Sequence, residues 1–354
     1  RGSSMSAPRR ACNAKPRDSP VTADGKASAQ KKLDEPATGF ILFHMKVILP
    51  FLEVCRRLLG RPCALLGPVA ALAGSSLLSP LFAGAETHSA LQAVKPDGTS
   101  AWAGTLPFTI RGVVLNDPEE CLDSTPHHVP YDDGAGAGQI GGQWQIFVQA
   151  VEPGDRGGTA LWMGQNYGNL AWIRDTAKSY TDEEWVSEVN RVNRDPINNH
   201  RFRKGDLVEV TANRSLFYGG KRNINEAHDK NAAADFSIAL IRADYGLPEP
   251  EVVSLADVVR PDDANPDTKE DIFDESRQTG GERYQGMRVR INGLVLADGT
   301  GWGKTVWGAR RCLVTDGQGR IFPIRTALGT MGPAPSGTFD AIGIFNQESG
   351  SGSN

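Results

Sequence analysis

The sequence predicts an all-β protein with at most one short helix per domain, arranged as two tandem five-stranded barrels, the second lacking its last strand. Three observations carry this expectation. Glycine and proline number 40 and 22 of 354 residues, which suits short strands joined by turns better than a helical bundle. Apolar and polar residues alternate over short stretches bounded by turn residues, the period of a half-buried strand. The opening pattern also occurs twice, as IRGVVL from Ile110 and as INGLVL from Ile291. Nothing in the composition reads as collagen, coiled coil or multi-span membrane protein, and five scattered cysteines exclude a disulfide-built scaffold.

Residues 1–44 are rich in Ser, Ala, Pro and Lys and are expected to be a disordered extension, since they bury too little apolar surface to offset chain entropy. Residues 45–85 read as a secretory signal peptide. Lys46, Arg56, Arg57 and Arg61 lead into an uncharged apolar run from Cys63 to Phe82, which ends at Ala83-Gly84-Ala85, a small-x-small cleavage pattern. The run is also long enough for a single membrane anchor. Its Pro, Gly and Ser content and the placed cleavage pattern favour removal, hence a secreted, periplasmic or cell-surface protein with no integral span after cleavage. Met45 is then a candidate start. Residues 86–104 form a short leader to the first barrel.

The first barrel is assigned to residues 105–245. Phe108 to Leu115 alternates and is broken by Gly112, and Gln143 to Ala150 opposes Trp144, Ile146 and Val148 to Gln143, Gln145 and Gln149. Thr159 to Met163 makes a third strand. Thr181 with Glu184 three residues on is a capping box, and Trp185, Val189 and Val192 share one face of the helix that follows. Lys204 to Thr211 and Asp235 to Ile241 complete five strands, although the face on which Leu207 falls is ambiguous. Three strands, a helix and two strands is the order of the Greek-key OB barrel. A glycine midway along the first strand lets that strand bend to serve both halves of such a sheet.

Residues 246–282 carry prolines and a run of acids, ten between Glu249 and Glu275 against Arg260 and Lys269, and are expected to be a solvated linker. The second barrel is assigned to residues 283–354. Its strands are Ile291 to Leu296, Arg311 to Thr315, Arg320 to Arg325 and Phe339 to Phe345. Pro323 cannot donate to a ladder and marks an edge or a bulge. No fifth strand follows, so the barrel is either truncated or completed by something else.

Several motifs invite a chemical reading and fail their structural requirement. Gly136-Ala-Gly138-Gln-Ile-Gly141 matches the dinucleotide fingerprint but precedes an alternating strand instead of a helix. Gly301-Trp-Gly-Lys304-Thr305 resembles the end of a phosphate loop, yet Asp298 stands where the first glycine is needed. Cys121, His127, His128, Asp132 and Asp133 lack metal-ligand spacing. Glu183 and Glu184 suit a helix first turn better than general acid–base work. No cofactor, no metal and no catalytic constellation is expected. The mature part retains Cys121 and Cys312, for which a disulfide and two free buried thiols both remain open.

The stretch Phe202 to Thr211, followed by Phe217 to Ile224, resembles the K-G-D-x-V-x-V-x-G … Y-x-G … I signature of OB-fold domains in exported bacterial proteins, with Thr211-Ala212 replacing the small ending. Phe273 to Gly286 and Phe339 to Gln347 are similar to repeats in planctomycete-like secreted proteins. The resemblance covers roughly residues 105–347. Domains of this kind accompany extracellular nucleases and phosphoesterases, and the resemblance implies a nucleic-acid or ligand binder whose nuclease domain is absent here.

An OB barrel binds on the face of its second and third strands, between the loops after strands one and four. Single-stranded nucleic acid needs cations along its backbone and aromatics under its bases. In the first barrel Arg201, Arg203, Lys204, Lys221 and Arg222 cluster around the fourth strand, and Phe147 has the parity of an exposed stacker while Trp144 and Trp162 have that of the core. The second barrel is net positive and supplies Arg288, Arg290, Trp302, Trp307, Arg310 and Arg311. The expected function is an exported non-catalytic module that binds nucleic acid or an anionic polysaccharide. The alternative is a structural or adhesive surface protein acting through protein contacts.

Overall fold

The computed structural model describes residues 40–43, 85–118, 143–164, 182–226, 230–259, 272, 274–304, 307–327 and 331–346. Contacts divide the chain after Asp34, and every described residue lies in the second unit. In chain order the elements begin with β1 (Phe40–Phe43), α1 (His88–Leu91), β2 (Phe108–Val114), β3 (Gln143–Gln149) and β4 (Gly158–Gly164). Then come α2 (Asp182–Asn193), β5 (Leu207–Ala212), β6 (Leu216–Tyr218), β7 (Lys221–Asn225) and β8 (Ser237–Arg242). The remainder is β9 (Glu251–Val252), α3 (Gly281–Tyr284), β10 (Arg288–Asp298), β11 (Arg311–Thr315), β12 (Ile321–Thr326) and β13 (Phe339–Asn346). The fold is mostly β-sheet with few helices, as the turn-rich composition predicts.

The first sheet has the order β6-β7-β4-β3-β2-β5-β8. Neighbours are antiparallel except β4 and β7, which run parallel. β2 pairs with β5 from Phe108 to Val113 and with β3 at Val113 and Val114, so it changes partner just past Gly112. A side chain at Gly112 would lie 2.3 Å from the Gln149 carbonyl, and this close approach explains the glycine. The alternation legible in β3 buries Trp144, Ile146 and Val148, while Val189 and Val192 of α2 face the same core. Burial of Val208 and Val210 with Leu207 half-exposed resolves the face of β5. Leu91 of the expected leader belongs to this core as well.

The β6–β7 hairpin was not separated from its surroundings by alternation. Its signal is Gly219-Gly220, with φ of 61° and 84°, the backbone of a two-residue hairpin turn. The capping residue expected before α2, Thr181, falls outside the described residues.

The second sheet has the order β11-β12-β1-β13-β10-β9, with β11 also pairing β10. Here β10 pairs β13 up to Leu294 and β11 from Val295, with a register shift between Ile291 and Leu294. Gly293 sits in that shift at φ 71°. Two expectations are corrected. The missing strand position is occupied: β1 lies between β12, to which it is parallel, and β13, to which it is antiparallel. Residues 40–43 are therefore a strand within the stretch expected to be disordered, because four consecutive apolar residues meet two edges that need partners. Pro323 faces Leu313 of β11, one residue before the β1 ladder begins at Ile324, so its missing N–H removes no bond to β1.

The solvated linker is corrected in part. Val253, Leu255, Val258 and Val259 are buried in the second core, and β9 adds to β10. The acidic count hid an apolar period short enough to be masked by the surrounding charge.

The two sheets meet through a third apolar cluster of Leu115, Phe147, Ala160 and Ile344. Around it the backbones touch: the Gly158 N–H donates to the Gln285 carbonyl at 2.9 Å, and a side chain on Gly158 would lie 2.1 Å from the Gly286 oxygen. The Arg288 N–H donates to Gln149 Oε1 at 2.8 Å. Arg156 binds Glu251 at 2.6 Å.

Candidate functional site

The K-G-D stretch turns out to be scaffold. Gly205, at φ 93°, donates its N–H to the Val114 carbonyl at 2.8 Å. The buried Asp206 carboxylate accepts from the N–H of Arg203 at 2.8 Å and of Asp244 at 3.1 Å, and meets His200 Nε2 at 2.7 Å. Lys204 lies 3.4 Å from Asp117. Arg201 stands just before β5, where burial beside Arg203 pushes its pKa down to about 10.

Most of the expected contact residues are engaged inside the molecule, and they do not form one surface. Phe147, expected to be exposed, is 1% exposed. Its outward parity in β3 points it at the second sheet instead of at solvent. Lys221 and Arg310 are equally buried, the first donating to Asn346 Oδ1 at 2.7 Å and the second to the Thr326 carbonyl at 3.3 Å. Arg288 donates to the Pro248 carbonyl at 2.7 Å, and Arg290 pairs with Asp340 at 2.5 Å. Trp302 donates its indole N–H to the Gly332 carbonyl at 3.0 Å. Arg311 is a half-buried residue of β11, and the side chain of Trp307 lies outside the described residues. Cys312 is a free thiol in the second core, pushed up to about 11 by burial. Cys121 falls outside the described residues.

What remains is centred on Arg222, at the start of β7. Its guanidinium carbon lies 4.4 Å from the Trp102 ring centroid and 5.9 Å from that of Phe217. Its nitrogens donate to Ser100 Oγ at 2.8 Å and Ser215 Oγ at 2.9 Å. Gln92 fixes the backbone, accepting from the Arg222 N–H at 3.0 Å and donating to its carbonyl at 2.7 Å. Among the described residues no carboxylate pairs with Arg222, and burial lowers its pKa. The result is a cation held between two aromatic faces and two hydroxyls, with Tyr218 exposed at the tip of the hairpin. Sequence reasoning found Arg222 but not Trp102, Ser100 or Phe217, which lie in the leader and in the unrecognised strand β6.

Two other polar groupings have structural explanations. Glu188, Glu226 and Asp235 place carboxylate oxygens within 4.8 Å of one another, a spacing that fits a cation. The positive charge there is Arg191, which binds Glu188 at 2.8 Å and Glu226 at 2.5 Å. His88, Ser89 and Asp155 hold the residue types of a nucleophilic triad without its geometry. The Ser89 hydroxyl and the His88 N–H both donate to Asp155, at 2.5 and 2.9 Å. The His88 ring faces elsewhere: Nε2 donates to the Arg111 carbonyl at 3.0 Å, leaving Nδ1 to accept from Thr159 at 2.9 Å. The imidazole is thereby kept from Ser89, and burial lowers its pKa.

No described helix is long and apolar enough to cross a membrane. Comparison of the chain with protein-family models, with curated proteins and with solved structures returned no match.

Proposed function

We propose that the protein is an exported, non-catalytic binding module of two OB-like lobes that takes single-stranded nucleic acid at the β6–β7 hairpin. The lobes are supported by pairing order. In the first, β2 bonds both β3 and β5, β4 runs parallel to β7, and β5 runs antiparallel to β8. In the second, β10 pairs β11 and β13, β11 pairs β12, and β1 joins β12 to β13. Export rests on the basic lead-in, apolar run and Ala83-Gly84-Ala85 of the sequence.

The observation that carries the ligand reading is Arg222, a desolvated cation stacked on Trp102 without a carboxylate among the described residues. The hairpin follows the fourth strand of the first lobe, a position that flanks the binding face of an OB barrel. A phosphate meets Arg222 and the Ser100 and Ser215 hydroxyls, and a base stacks on Tyr218. The test is a salt-titrated binding assay of the full chain with oligo-dT. We expect association that weakens as salt rises, and a loss of roughly one base-stacking contribution, about 1–3 kcal/mol, in Tyr218→Ala. Absence of salt-sensitive binding, with heparin as well as with DNA, removes the reading; binding to heparin alone transfers it to an anionic polysaccharide.

A structural role through protein contacts is the second reading. It is favoured by Lys204, Arg290, Arg156 and Arg191, whose charges meet acidic partners within the chain.

A further inference from the structure

The second sheet has an interruption in its connectivity. β12 and β13 do not pair with each other; the strand between them is β1, more than 270 residues upstream of β12. Every residue of β1 is paired. Ile41, Leu42 and Phe43 align with Ile324, Arg325 and Thr326, and Phe40 to Phe43 align with Asn346 back to Gly343. Without β1, two edges would face each other across a gap one strand wide, beside the buried Ile324, Phe345 and Phe322. The four residues of β1 are apolar and lack proline, so each offers both a donor and an acceptor to the ladders.

We propose that the gap between β12 and β13 is a strand-accepting groove and that Phe40–Phe43 is its detachable donor, held by main-chain pairing even when the chain between residues 44 and 85 is cut. The groove takes an extended, apolar, proline-free segment parallel to β12 and antiparallel to β13, the recognition mode of strand addition. The proposal has a consequence for processing. Removal of residues 45–85 as an export leader, like a start at Met45, takes Phe40–Phe43 away and opens the groove to another extended apolar segment. It does not depend on what the β6–β7 hairpin binds.

The test uses the full chain carrying a site-specific protease sequence between residues 70 and 80. After cutting, the N-terminal fragment is expected to co-elute with the body in gel filtration and to be displaced by excess peptide of residues 38–45. The same peptide with Ile41→Pro should not displace it. In the uncut chain, Ile41→Pro should raise amide exchange at residues 325–326 and 343–346 by roughly tenfold or more, leaving β2 and β5 unchanged as a folding control. Free separation of the fragment together with unchanged exchange in β12 and β13 overturns the proposal. A concentration-dependent dimer that places the groove's strand in a second copy overturns the assignment of Phe40–Phe43 of the same chain.

Discussion

Glu226 is 2% exposed, and burial pushes its carboxyl up to about 7, with Arg191 favouring the anion and Asp235 and Glu188 opposing it. An unfolded glutamate titrates near 4.5. Between those values the folded chain holds a proton that the unfolded chain has lost, so stability falls as pH rises from about 4.5 to about 7. His88 acts in the opposite sense. Its pKa lies below the ordinary 6.5, so acidification below 6.5 protonates the unfolded chain first and costs stability. Glu226→Gln should remove the first slope and leave the second, giving a variant that loses stability on acidification below pH 6.5; urea unfolding across pH 4.5 to 8 measures it. Gly158 is decided by space alone, whereas Gly286 adds a left-handed backbone at φ 70° to the same close approach. Gly158→Ala forces its new carbon against the Gly286 carbonyl, and a fall in Tm with the first core intact is expected.

At the scale of elements, the two opening strands were legible because apolar spacing and a central glycine recur in both. The two glycines nevertheless serve different ends. Gly112 admits the Gln149 carbonyl, whereas Gly293 has open space and a left-handed backbone. Gly293→Ala should therefore cost about 1–2 kcal/mol through backbone strain alone, while Gly112→Ala should cost more, as thermal unfolding of the two variants will show. The β6–β7 hairpin and β1 were missed for a common reason: three to five residues are too few to display a period. Their identity came from what they pair with, and β1 pairs with strands close to the opposite end of the chain. The contact residues were the least legible. Parity along β3 correctly set Phe147 apart from Trp144, but parity names a face without saying whether water or another sheet lies over it.

For the whole molecule, that second face is what joins the halves. Phe147, Leu115, Ala160 and Ile344 are surrounded by polar cross-links from Arg288, Lys221 and Arg156. Phe147→Ala should remove roughly 3–5 kcal/mol, most of it from the coupling between halves and little from either core. Calorimetry should then resolve one cooperative transition into two; a single transition merely shifted to lower temperature would place Phe147 inside one cooperative half. Cys312 supplies a native reporter for the same question. Its sulfur is sealed among the second core and holds its proton to about pH 11, so alkylating reagents meet it only when that half opens. The rate at which peptide-resolved mass spectrometry finds this cysteine modified is thus a clock for the breathing of one lobe, readable without introducing any label.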